Sequence, residues 1–161
     1  MKTSTRDFNV FESGDGGELS IFNNDLSLTE LLYQTIYIAL FGGNVEASTL
    51  GNEIDREERF DYWANDLFFK NNPSKQFNSE TERVLSEVTI NTSGRLTIKS
   101  AVESDLFFIK KIATLAVNIV ILDVDKISIN ISLSAIPNQI NRDLQFIWDN
   151  ARQQLITDIT I

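Results

Sequence analysis
The side chains that could do chemistry in this sequence are carboxylates. Asp55, Glu57, Glu58, Asp61 and Asp66 lie within twelve residues of one another, beside Arg56 and Arg59. Two carboxylates flanking one bond, one of them held protonated, are the machinery of glycan hydrolysis. Spacing does not place such a pair, and Glu57-Glu58 next to Arg56 and Arg59 describes a solvated, charge-paired loop. The chain has no His and no Cys. A His-based triad, a thiol nucleophile and a typical zinc site are therefore excluded. Any proton transfer would fall to Asp, Glu, Lys or Tyr.

No phosphate loop, dinucleotide fingerprint or exposed-serine elbow occurs. Gly42-Gly43-Asn44 is glycine-rich but follows a helical pattern, the wrong end for binding phosphate. The run Ser13-Gly14-Asp15-Gly16-Gly17 lacks the alternating oxygen ligands and closing Glu of a calcium loop. These residues imply no catalytic residue, no cofactor and no metal.

The elements that must position any site follow from periodicity. Phe8-Asn9-Val10-Phe11 and Glu18-Leu19-Ser20-Ile21-Phe22 flank the Gly/Asp cluster and predict a β-hairpin. Leu28, Leu32, Ile36 and Ala39 form one helical stripe; Tyr33, Tyr37 and Leu40 form a second. Thr29 is the expected cap and Gly42-Gly43 the stop. A helix apolar on most sides must be buried or meet a partner, so Tyr33 and Tyr37 are candidate contact residues. Residues 44–78 are polar and irregular, broken by the aromatics Phe60, Tyr62, Trp63, Phe68 and Phe69. Tyr62, Trp63 and Asn65 are candidate contacts there.

Ser79-x-x-Glu82 reads as a capping box opening a helix to about Val88. A further helix is expected from Leu96 to Lys111, with a break near Ser100–Ser104. The period then changes. Ala113–Leu122 is rich in Val and Ile. Ile127, Ile129, Ile131 and Leu133 alternate with Ser128, Asn130, Ser132 and Ser134, as in a strand with one wet face. Leu144, Phe146 and Trp148 fit a third strand, and residues 151–161 a tail that is either a short helix or frayed. The expected fold is a single α+β domain: an N-terminal β-hairpin, two to three helices and a C-terminal three-stranded antiparallel sheet. Residues 1–112 make its hairpin and helical part, and 113–150 its β-rich part.

With 161 residues, 42% of them hydrophobic, the chain can build a modest core. Net charge is −9, with 14 acids against 6 bases in residues 1–80 and 9 against 8 thereafter. Binding driven by nucleic-acid phosphates is not expected of such a chain. No apolar segment follows Met1 as in a signal peptide, and Ile112–Leu122 is about half a membrane span. The reading is a soluble protein without membrane or nucleic-acid partners.

A weakly charged hairpin over Ala113–Leu133 invites a strand from another chain. Such β-augmentation takes affinity from backbone hydrogen bonds and register from alternate side chains. Val117, Ile119, Val120, Ile127, Ile129, Ile131 and Trp148 are the expected contacts. The competing readings are an ordinary covered sheet, a carboxylate glycan hydrolase and a small acidic adaptor.

The order of motifs resembles the small baseplate-wedge proteins of contractile-tailed phages, the Mu-like group, similar to wedge proteins labelled lysozyme-like. The resembling residues are Asp15-Gly16-Gly17-Glu18-Leu19, Asp25-Leu26-Ser27-Leu28 and Leu40-Phe41-Gly42-Gly43-Asn44. Asp61-Tyr62-Trp63-Ala64-Asn65, Asn78-Ser79, Asp105-Leu106 and Phe146-Ile147-Trp148-Asp149 follow in order. Ala64 stands where the family usually has Gly, Tyr62 where it has Trp, and the Leu-Trp pair after Gly-Ser is missing. The resemblance implies a non-enzymatic virion structural protein, assembled in the host cytoplasm into the tail baseplate. It implies multiple copies in a ring around the hub. The implied partners are other wedge and hub proteins and the tail sheath, whose assembly the C-terminal strands would initiate. A related bacterial contractile injection system would carry the same signals.

Overall fold
The computed structural model describes residues 6–12, 17–42, 72, 78–134 and 141–160. The fold is α+β, with three α-helices and several antiparallel sheets among the described residues. The chain divides into two compact units, Met1–Ser79 and Glu80–Ile161.

The first unit opens with six short strands: β1 (Arg6–Phe8), β2 (Val10–Glu12), β3 (Gly17–Leu19), β4 (Ile21–Phe22), β5 (Asp25–Leu26) and β6 (Leu28–Glu30). The expected hairpin exists only in part. Val10 pairs with Leu19 and Phe11 with Glu18, but Phe8 pairs with Leu28, and Ile21 with Leu26. The result is three two-stranded ribbons meeting at one point. A closed ring of backbone bonds joins them there: Asn9 N–H to Ser27 O (3.0 Å), Ser27 N–H to Ser20 O (2.8 Å), and Ser20 N–H to Asn9 O (2.9 Å). Asn23 and Asn24, at φ 52° and 62°, make the two-residue loop of the β4–β5 ribbon. Such a loop needs two left-handed residues, and Asn tolerates that conformation.

Helix α1 (Leu31–Phe41) follows β6 directly. Thr29 is not its cap: it lies in β6, and the cap position is Glu30, whose side chain makes no capping bond. Gly42 ends the helix; a Cβ there would stand 2.3 Å from Ile38 O. Gln34, Ile36, Tyr37, Leu40 and Phe41 are buried. The Ser79 hydroxyl donates to Leu40 O, which satisfies one of the carbonyls left over in the last turn of α1.

The second unit runs α2 (Glu80–Glu87), α3 (Thr92–Asp105), a 3-10 turn (Phe107–Lys111), then β7 (Thr114–Asp123), β8 (Lys126–Ser134), β9 (Arg142–Asp149) and β10 (Gln154–Thr160). The first N–H groups of helix α2 go to Asp105 at the far end of α3: Glu80 N–H to Oδ1 at 3.1 Å, Thr81 N–H to Oδ2 at 2.8 Å. Helix α3 is capped locally, Asn91 Oδ1 accepting from Gly94 N–H at 2.9 Å. The helical pattern breaks at Leu106, just past the expected Ser100–Ser104.

The C-terminal sheet is antiparallel in the order β10-β9-β8-β7. It has four strands where the sequence pattern predicts three, because Gln154–Thr160 pairs with β9 instead of forming a helix or fraying. The turn that permits this is built by Asp149. Its Oδ1 accepts from Ala151 and Arg152 N–H, both at 3.1 Å, and Gln153 takes a left-handed φ of 53°. Ile127, Ile129, Ile131 and Leu133 meet Leu144, Phe146 and Trp148 on one face, all buried, with α3 packed against β7. Helices α2 and α3 pack on each other, closing this core with Leu85, Ile98, Val102, Leu106 and Ile109.

Candidate interaction edge
β7 is the outermost strand of the C-terminal sheet. Its inner side pairs with β8 from Thr114↔Ser134 to Asp123↔Lys126. Among the described residues no strand pairs with its outer side. From Thr114 to Leu122 it carries no charge and no proline. Charged side chains, prolines and bulges are the usual means of blunting an edge. Here the one irregularity is the register shift between Ile121 and Asp123, at the far end of the strand. The eight residues before it present a regular backbone edge.

Alternation sets which side chains accompany that edge. Val117 and Ile119 turn into the core, at 6% and 2% exposure. Ala116, Asn118 and Val120 turn the other way and are exposed. That second face is polar and internally bonded. Gln145 Nε2 donates to Ser128 Oγ (2.9 Å) and Asn130 Oδ1 (3.1 Å), and Ser128 Oγ donates to Asn130 Oδ1 (3.2 Å). Asn130 Nδ2 reaches the Asn118 carbonyl at 3.4 Å. The network spans β9, β8 and β7, so the edge strand is fixed from the side as well as along its ladder. Past the register shift, Leu122 and Val124 are exposed apolar residues at the hairpin tip. Asn150 N–H donates to Asp125 O at 2.7 Å, tying the β9–β10 turn to the β7–β8 turn.

The expected contact residues separate into three groups. Ile127, Ile129 and Ile131 lie on β8, an interior strand paired on both sides, and are fully buried. With Val117, Ile119 and Trp148 they form the core, since the alternation that makes their strands amphipathic turns them toward α3. Of this set only Val120 stands on the exposed face. Tyr33 and Tyr37 stack in α1 with ring centroids 6.4 Å apart, Tyr37 being buried and Tyr33 half-buried. Tyr62, Trp63 and Asn65 lie outside the described residues, as do Asp55, Glu57, Glu58, Asp61 and Asp66.

Asp105 is a carboxylate with a perturbed proton affinity. Burial raises its pKa above the usual aspartate value, against the lowering pull of hydrogen bonds from Thr81 and Glu80. Both of its oxygens are engaged by the first turn of α2, so the group is a helix cap. Among the described residues no three Asp, Glu, His or Cys side chains are grouped to hold a metal, and no helix is long and apolar enough to cross a membrane.

Two features of the edge escape the sequence pattern. The first is β10, which makes β9 an interior strand and leaves β7 as one of two edges. Its signal is the run Asp149-Asn150-Ala151-Arg152-Gln153, in which Asp149 can accept two successive N–H groups. The second is the polar network on the reverse face, legible only as the alternation of Ser128 and Asn130. Compared with known protein families, curated proteins and solved structures, the chain matches none.

Proposed function
We propose that this chain is a structural, non-enzymatic component of a contractile-tail baseplate, wedge-like in role, that offers the outer edge of β7 to a strand of a neighbouring subunit. The observation that carries the reading is that unblunted edge, uncharged from Thr114 to Leu122. The assignment to a tail baseplate rests on the ordered motifs described above. The tail sheath and the other wedge and hub proteins are the partners it names.

The test is Asn118→Lys with Val120→Lys. Both side chains are exposed, so the fold is retained, while two like charges on the edge oppose strand addition. Tail particles produced with the double variant are expected to lack sheath, while the isolated protein keeps its wild-type circular dichroism. Normal sheathed particles would end the strand-addition mechanism. Absence of the chain from any high-molecular-weight particle would favour the acidic adaptor instead. Clearance of peptidoglycan by the purified protein, lost on replacing Glu57, Glu58 or Asp61, would establish the hydrolase reading.

A further inference from the structure
The edge strand β7 is self-complementary about Asn118. That residue is the midpoint of the uncharged stretch Thr114–Leu122, and Lys111 and Asp125 lie equally far from it along the chain. Both are exposed. One end of the edge is basic, with Lys110 next to Lys111. The other is acidic: Lys126 is paired opposite Asp123, which leaves Asp125 as the net charge there. Two copies of β7 laid antiparallel bring each basic end against the acidic end of the other. A parallel pair would set like charges side by side.

The faces agree with the charges. Directly opposed residues in an antiparallel pair project to the same side. With Asn118 opposite itself, Val117 meets Ile119 and Leu115 meets Ile121 on the core side, and Ala116 meets Val120 on the polar side. Ile121 and Val120, 39% and 37% exposed, gain cover in such a pair. The Asn118 side-chain amide makes no hydrogen bond among the described residues, and two amides facing each other can exchange donor and acceptor. The other edge, β10, has a register shift between Leu155 and Thr157 and carries Asp158, both of which blunt it. Repulsion between copies is weak here, since residues 81–161 hold 9 acids against 8 bases. We propose that the strand received by β7 is β7 of a second copy, antiparallel about a two-fold axis at Asn118. The proposal rests on the reading of β7 as an open edge and names its occupant.

Sedimentation of the full-length protein is expected to show a dimer, and Asn118→Lys with Val120→Lys a monomer. The chain has no Cys, so Asn118→Cys introduces a single thiol. Opposed Cβ atoms about 4.5–5.5 Å apart are near enough for a disulfide after a small adjustment. Under mild oxidation that variant should cross-link into a dimer, while Val124→Cys, 81% exposed at the hairpin tip, should not. Lys111→Glu should weaken the dimer about fivefold, and adding Asp125→Lys should restore it. The strand between the two is about 30 Å long, so the rescue cannot act within one chain. A monomeric wild type, equal cross-linking of the two Cys variants, a dimer that survives the Lys pair, or failure of the charge swap would each overturn the proposal. Failure of the edge reading looks different. If the wild type is a monomer but the Lys variant yields particles without sheath, the edge stands and another protein fills it. If the dimer forms as described but those particles carry normal sheath, the second copy stands and the sheath role falls.

Discussion
The side-chain amide of Gln34 closes on the peptide groups of Val10 from both sides. Gln34 Nε2 donates to Val10 O at 2.8 Å, and Val10 N–H donates to Gln34 Oε1 at 3.4 Å. Gln34 is 2% exposed and Val10 5%. The amide thus acts as one more strand residue beside β2, and it pins the three-armed sheet to α1. A side-chain amide supplies the neutral donor and the acceptor that this arrangement needs.

Gln34→Leu is therefore expected to leave a buried N–H and a buried C=O unpaired. The cost should be about 2–6 kcal/mol at roughly 1–3 kcal/mol per orphaned group. Urea unfolding measures it. Gln34→Glu gives a sharper signature. Its carboxylate faces the Val10 carbonyl at neutral pH, whereas the protonated acid can again donate. That variant should regain stability as pH falls from 7 toward 4.5, and Gln34→Leu should not.

Asp105 makes the pH prediction for the native chain. Its folded-state pKa is raised by burial. The native state therefore holds a proton that the unfolded chain lacks in the interval between the two values. Stability from this group rises as pH falls through the folded pKa, and the rise ends near the unfolded value of about 3.9. At neutral pH the ionised group is at its least favourable. Asp105→Asn removes the titration. The gap in urea midpoint between wild type and variant should shift in favour of wild type on going from pH 7 to pH 4. A constant gap would show that burial does not control this carboxyl.

Gly94 sits where the first turn of α3 crosses the end of α2. A Cβ there would stand 2.1 Å from Thr89 O and 2.6 Å from Val88 Cγ1. The first neighbour is backbone and cannot rotate aside. Gly94→Ala should cost about 2–3 kcal/mol despite the better helix propensity of Ala, because overpacking outweighs it. Leu96→Ala, two residues on and 59% exposed, should stay within about 0.5 kcal/mol. Thermal unfolding of the pair checks the contrast.

Asn23 and Asn24 hold the left-handed turn that sends Ile21 and Leu26 out together. Asn24→Gly should tighten that ribbon and Asn24→Val should open it, since a β-branched residue strains at φ 62°. The ribbon is small, so the change is local. Amide exchange at Phe22 and Asp25 is the readout: slower in the Gly variant, faster in the Val variant.

Where one periodicity runs unbroken, the sequence is a sound guide to this fold. The alternation of Ile127 to Leu133 gives β8 and its buried face directly, and Leu144, Phe146 and Trp148 give β9. Where local signals compete, it is not. Ser79 and Glu82 fit the pattern of a capping box, but no local pattern announces that the hydroxyl also donates to Leu40 O or that Asp105, 25 residues on, takes the Glu80 N–H. Phe8 and Ile21 look like partners across one hairpin because each lies in an alternating run. The Asn23-Asn24 turn redirects both, since it lets Ile21 fold back on Leu26 and frees Phe8 for Leu28. The edge itself was visible as an uncharged apolar run, but which strand is outermost depends on β10. No pattern in Gln154–Thr160 is strong enough to announce that strand.

The distinction between strand interior and strand edge sets the last prediction. Ile129 and Val120 belong to the same hairpin, on adjacent strands and opposite faces. Ile129 is fully buried between Ile119 and Phe146 in register, while Val120 is 37% exposed. Ile129→Ala should cost about 2–5 kcal/mol, the range for emptying a core site of this size. Val120→Ala should cost less than about 1 kcal/mol, because more than a third of the side chain is already in water. The edge reading requires the opposite order in assembly. A strand added to β7 would lie beside Val120 and never touch Ile129. If sheathed-particle yield tracks unfolding free energy across the two variants, β7 matters only as part of the fold. If Val120→Ala loses yield at wild-type stability, the outer side of β7 is the contact.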